Sequence, residues 1–166
     1  MRRLFVVSAL FLVVLAGCTQ APPRQANGWH FGTCSVPVVG DVQVEGAHGT
    51  RFAFREASTF TGVQFREGSY AEAALYGVTI RYMGWAAAPY AETHHWRGTT
   101  GRTKWELRFW GTPPTGLVRH EVGHIFLAPH DSDYNGVMRW DVPNRHGTWD
   151  NVERWYMRET ARKSGC

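Results

Sequence analysis

Cysteine is scarce in this sequence, and long basic runs and membrane-length apolar runs are absent. The three cysteines stand far apart, at positions 18, 34 and 166. Neither Cys34 nor Cys166 has metal-ligand spacing to a histidine, so no thiolate metal site is expected. The formal charge is a mild +4, which does not call for nucleic acid as a partner. The longest apolar run, Leu4 to Ala16, is interrupted by Ser8 and falls short of the ~20 residues that cross a bilayer. No internal repeat is found. Eight tryptophans and 43% hydrophobic residues exclude disorder as the state of most of the chain. The length suits one small domain with a real core.

The apolar run starts from Met1-Arg2-Arg3 and ends in Leu15-Ala16-Gly17-Cys18. A basic end, a short apolar core and small residues make a secretory signal rather than a membrane span. Leu-Ala-Gly-Cys resembles a bacterial lipobox, which implies cleavage before Cys18 and lipidation of its thiol and amine. Thr19 follows, not the aspartate that commonly retains lipoproteins at the inner membrane. In a diderm cell the outer membrane is therefore the expected anchor. Residues 1–17 are expected to leave as a signal peptide; they hold two arginines and no acid, so the formal charge falls from +4 to +2. Residues 18–35 then form a lipidated tether, polar and turn-rich. Residues 36–166 form the domain. Cys34 and Cys166 remain in an oxidising compartment; they could pair across the domain or stay free thiols.

The chemistry concentrates between residues 120 and 138. His120-Glu121-Val122-Gly123-His124 sets two histidines about one helical turn apart, so both can face one metal ion. Glu121 lies beside that face, where a general base for a water molecule would stand. Stepping about 100° per residue puts Val118, Val122, Ile125 and Phe126 on one apolar side and the two histidines roughly opposite. The helix is expected to pack that side on a core and turn its histidines toward a cleft. Thr112, ahead of Pro113-Pro114, is the expected start signal. His130 cannot share the helix, because six residues past His124 it would point about 240° away. The chain must turn after Phe126 or Leu127, and Pro129 agrees by disfavouring helix at Ala128.

His120, His124, His130 and the later Met138 resemble the metzincin zinc endopeptidases, most closely their matrixin branch. That family's pattern is HExxHxxGxxH, followed by a methionine turn under the metal. The resemblance implies one catalytic Zn2+ held by His120, His124 and His130, with Glu121 as the catalytic base and Met138 in the Met-turn. The family glycine is Leu127 here, and a leucine at positive φ costs roughly 1–2 kcal/mol. Either Pro129 makes the turn by another route, or a displaced turn brings Asp131 to the metal. Asp131 and Asp133 therefore stand as alternative third ligands. Trp140 occupies the position where some metzincins have a metal-binding tyrosine, so no fifth ligand is expected. The family's cysteine-switch pattern is absent, so latency by a propeptide is not expected. No structural Ca2+ or second Zn2+ is expected either.

The rest of the domain reads as short elements. A first strand is expected near Val38–Val44, then a helix over 51–60 with Ala53, Ala57 and Phe60 at helical spacing and Gly62 ending it. Short strands follow at 63–65 and 78–82. Residues 91–96 are the candidate edge strand, whose His94 and His95 are expected to be surface or loop histidines. Residues 103–110 alternate, with Trp105, Leu107 and Phe109 on one face. Pro143 and Asn144 mark a loop. A last helix from Trp149 to about Lys163, capped by Thr148, would put Trp149, Val152 and Tyr156 on one side, with Trp155 beside them.

These expectations combine into an α+β fold of metzincin, zincin-like type: a twisted mixed sheet with a packed helix, the HExxH helix, the Met-turn and a C-terminal helix. The resemblance implies a monomeric, membrane-anchored zinc endopeptidase acting on peptides or proteins. One competing reading is a non-proteolytic zinc-containing binding lipoprotein that uses its tryptophans for envelope contacts. Another is a zinc hydrolase acting on a different bond. Glu121 weighs against the first, because a structural zinc site is usually closed by four ligands and needs no base.

Overall fold

The computed structural model describes residues 32–97, 101–130, 136–139 and 147–166. Cys18 and most of the tether, Asp131, Asp133, Trp140, Pro143 and Asn144 lie outside them. The fold is α+β, with five strands and four helices among the described residues. In chain order these are β1 (Ser35–Val39), α1 (Arg51–Thr61), β2 (Gln64–Glu67), α2 (Tyr70–Leu75), β3 (Gly77–Gly84), β4 (Tyr90–Arg97), β5 (Thr103–Trp110), α3 (Thr115–Ile125) and α4 (Asn151–Lys163). The sheet order is β2-β1-β3-β5-β4. β2, β1, β3 and β5 run parallel, while β4 pairs antiparallel to β5 and forms one edge.

β5 has the plainest sequence logic. Its alternation buries Thr103, Trp105, Leu107 and Phe109 and leaves the residues between them part-exposed. Fully burying Leu107 or Phe109 contributes about 1.5–3 kcal/mol each. The outward face of the β4–β5 pair is a ladder of opposed side chains: Trp96 opposite Lys104, His94 opposite Glu106, Glu92 opposite Arg108, Tyr90 opposite Trp110. Tyr90 and Trp110 stack with centroids 4.4 Å apart.

Several boundaries differ from the sequence expectations. β1 runs Ser35–Val39 rather than 38–44. Gly40 ends it at φ 84°, and a Cβ there would lie 2.2 Å from the Ile80 carbonyl oxygen on β3. α3 starts at Thr115 with Pro114 as its cap residue, so Thr112 is not the start signal. Asp150, not Thr148, caps α4: its carboxylate accepts from the Val152 and Glu153 amides, and Glu153 returns the bond to the Asp150 amide. α2 is an addition, capped by Ser69, whose hydroxyl accepts from the Glu72 amide.

The buried face of α4 also differs. Val152 and Trp155 point to solvent, while Glu153, Met157 and Ala161 are buried. Trp149 is buried as expected but precedes the helix. One contiguous apolar core runs from the inner face of the sheet through α1 and α3 to Met138, Trp149 and Met157. Arg119 fixes α3 against its neighbours: its guanidinium donates to Glu56 on α1 at 2.9 Å and to the Gly147 carbonyl at 2.8 Å. A disulfide joins Cys34, just ahead of β1, to Cys166, just past α4, with Cα atoms 5.4 Å apart.

Candidate metal centre

α3 presents His120 and His124 side by side, ring centroids 4.7 Å apart. The helix stops at Ile125, and the stop places the third histidine. The Ala128 amide donates back to the Gly123 carbonyl and the Leu127 amide to the His124 carbonyl. This paired closure is the Schellman motif, which needs a left-handed residue between its two bonds. Leu127 supplies it at φ 57°. The turn is thus made at Leu127 itself, in the conformation a glycine would favour, and not by a detour at Pro129. The strain of about 1–2 kcal/mol is carried by the surrounding bonds.

Beyond this turn His130 folds back onto the helix. Its Nε2 lies 2.8 Å from His120 Nε2 and 3.1 Å from His124 Nε2, and the latter two are 3.1 Å apart. His120, His124 and His130 form the one group of three or more potential metal-ligating side chains found among the described residues. They lie close enough to hold a metal ion.

The hydrogen bonds on the far sides of two rings fix what the near sides offer. His120 Nδ1 is 2.6 Å from the Val137 carbonyl oxygen, and His124 Nδ1 is 3.1 Å from that of Ala128. A carbonyl only accepts, so each Nδ1 carries the proton. Each Nε2 therefore turns a lone pair inward, as in metal-bound histidines oriented by an outer carbonyl. Burial holds both rings neutral: it lowers His120 to about 4 and His124 well below the ordinary value. His130, half-exposed, is lowered by burial too. Two inward lone pairs with no proton between them repel each other unless a cation joins them, so the donor set fits a divalent metal.

The surroundings are more enclosed than the amphipathic pattern suggests. His120, Glu121 and His124 are 2%, 0% and 8% exposed. Strand β4 closes one side: the Thr93 hydroxyl donates to Glu121 Oε2 at 2.5 Å. Residues 136–138 close another. Met138 is buried against the helix, and a Cβ on Gly123 would come within 2.5 Å of its sulfur. Gly123 is what lets the methionine lie that close.

Glu153 holds this segment in place. One of its oxygens accepts from the Met138 amide at 2.6 Å and the other from the Asp150 amide at 2.8 Å. Gly136 passes so near that a Cβ would sit 1.8 Å from Glu153 Oε2. Burial pushes the Glu153 pKa up, opposed by the amides it accepts from. The result is a chain of contacts from α4 through the 136–138 backbone to the Val137 carbonyl and the His120 ring. Glu153 and Thr93 were both missed in the sequence. Asp150-x-x-Glu153 is a capping-box pattern that could have flagged the first; Thr93 lies 28 residues from Glu121 and carries no local signal.

His94 and His95 lie on β4 and belong to no metal-ligating group found. His94 pairs with Glu92 at 2.7 Å, and His95 packs beside Trp105. No family model matches the chain, and neither the curated proteins nor the solved structures yielded a significant match.

Proposed function

We propose that this chain is a zinc-dependent endopeptidase of metzincin type, nearest the matrixin branch. The observation that carries the reading is the convergence of three histidine Nε2 atoms within 3.1 Å of one another, with Glu121 on the same helix. Met138 under α3 supports it. A zinc ion held by His120, His124 and His130 would supply Lewis acidity, lowering the pKa of water toward ~7 and polarising a scissile carbonyl. Glu121 takes the proton of the attacking water and delivers it to the leaving amine. β4, an edge strand ending the sheet beside α3, offers backbone groups to an extended peptide by strand addition.

Replacing Glu121 separates metal from chemistry. Glu121→Ala is expected to bind about one zinc per chain yet lose hydrolysis by a factor of about 10²–10⁴. His120→Ala, His124→Ala and His130→Ala lose both. Peptide-library cleavage and metal analysis check this, and wild-type cleavage by Glu121→Ala would overturn the assigned chemistry. Cleavage of a non-peptide ester or glycan alone would point to a hydrolase of another bond. Trp85 and Trp155, 82% and 58% exposed, favour the binding-lipoprotein reading as the second; zinc binding without any hydrolysis would support it.

The location follows from Leu15-Ala16-Gly17-Cys18. The mature chain is exported and anchored by lipid on Cys18, at the outer membrane in a diderm cell. Among the described residues no helix is long and apolar enough to cross a membrane. Mass spectrometry of the native N-terminus is expected to find an acylated Cys18; an unmodified Cys18 would remove the anchor.

A further inference from the structure

The geometry points to Thr93 as the residue that positions Glu121. This rests on the peptidase reading above and adds to it a partner for the base. Thr93 is 3% exposed and sits in the interior register of β4, opposite Leu107 of β5. A buried hydroxyl needs an acceptor, and residue 121 puts two acceptors within its reach. The backbone carbonyl of Glu121 is 3.2 Å away and its carboxylate Oε2 is 2.5 Å away. The hydroxyl has one proton, and the shorter contact, to the carboxyl oxygen, is the stronger bond. The carbonyl alone would have satisfied a merely structural threonine.

The donor is well suited to fix a direction. Threonine is β-branched and stiff at χ1, and this one lies in a strand paired to β5 along its length. Glu121 is a long, buried side chain with several rotamers to choose among. The bond from Thr93 selects one of them. It also ties the base to the edge strand on which a peptide would lie. The spacing between bound peptide and base is therefore set by strand and helix together, not by the helix alone. A displacement of about 1 Å in such an arrangement is enough to cost about a hundredfold in rate.

Thr93→Val keeps the shape and removes the hydroxyl, and Thr93→Ser keeps the hydroxyl and removes the methyl. In zinc-loaded protein, Thr93→Val is expected to lower kcat about ten- to a hundredfold with KM and zinc content unchanged, while Thr93→Ser stays within about threefold. If Thr93→Val does not fold, Thr93→Ala carries the same comparison. A second readout needs no turnover: in crystals of the metal-free variants, Glu121 should keep its rotamer in Thr93→Ser and leave it in Thr93→Val. Unchanged kcat in Thr93→Val, or an unmoved Glu121 in its metal-free crystals, would overturn the role. If the wild-type protein cleaves no peptide, the endopeptidase reading falls, and the Glu121 rotamer still decides Thr93.

Discussion

Burial makes the three histidines of the candidate metal centre poor bases, and this has a measurable sign in the metal-free protein. Unfolded, each imidazole takes up a proton near pH 6.5. Folded, His120 resists protonation down to about 4, because the charged ring would lose its water. Between these values the unfolded chain binds more protons than the folded one, so stability falls as pH falls. The contribution is fully present above about pH 6.5 and is lost on the way down toward about 4. Denaturation of metal-free protein across this range is expected to show the loss, and His120→Gln to reduce it. A flat stability profile over the same window would contradict the burial of the rings. At this scale the sequence was legible where geometry is local. The four-residue spacing of His120 and His124 specifies a shared face by itself. A turn after Phe126 or Leu127 followed from the spacing of His130, but that Leu127 itself makes it was not legible, because leucine disfavours the conformation it adopts. Only the two closing bonds from Ala128 and Leu127 show what holds it there.

Among the elements, the alternation of β5 and the helical spacing of α1 could be read directly, since one buried face imposes its period on the chain; α3 could be read from its HExxH spacing, though it is buried on nearly all sides. The extent of α4 could be read as well, but its buried face could not, because the rule that apolar residues face inward fails there. Glu153 is inside, and Val152 and Trp155 are outside. The cause is the demand of the Met138 and Asp150 amides for an acceptor, a requirement set by a separate stretch of chain. α2 escaped notice because six residues are too few to establish a period. Glu153 gives the clearest prediction at this scale. Glu153→Ala leaves two amides without their carboxylate, at a cost of about 2–4 kcal/mol. It also frees the backbone that aims His120, so metal affinity is expected to fall about 10–100-fold. Gly136→Ala should act in the same direction by displacing the carboxylate. Denaturant titration and competition with a chelator measure the two effects. Loss of stability with unchanged metal affinity would show that α4 supports the fold without orienting the site.

The whole molecule is closed by Cys34–Cys166, 132 positions apart in sequence. A bridge over so long a loop is expected to stabilise by about 2–5 kcal/mol, mainly by restricting the unfolded chain. Reductant, or the double replacement by serine, should lower the denaturant midpoint accordingly and leave the histidine cluster assembled. An unchanged midpoint would show that the bridge does not constrain the unfolded chain. The bridge also decides how the domain carries mechanical force. β1 lies between β2 and β3, parallel to both. Without the sulfurs, a pull on the chain ahead of Cys34 would load β1 alone and shear its backbone bonds on either side. With them, part of the pull passes at Cys34 into Cys166 and along α4, which packs on α1. Sheet and helices then share the load, and a tug on the chain ahead of Cys34 moves the domain as one body before it draws out a strand.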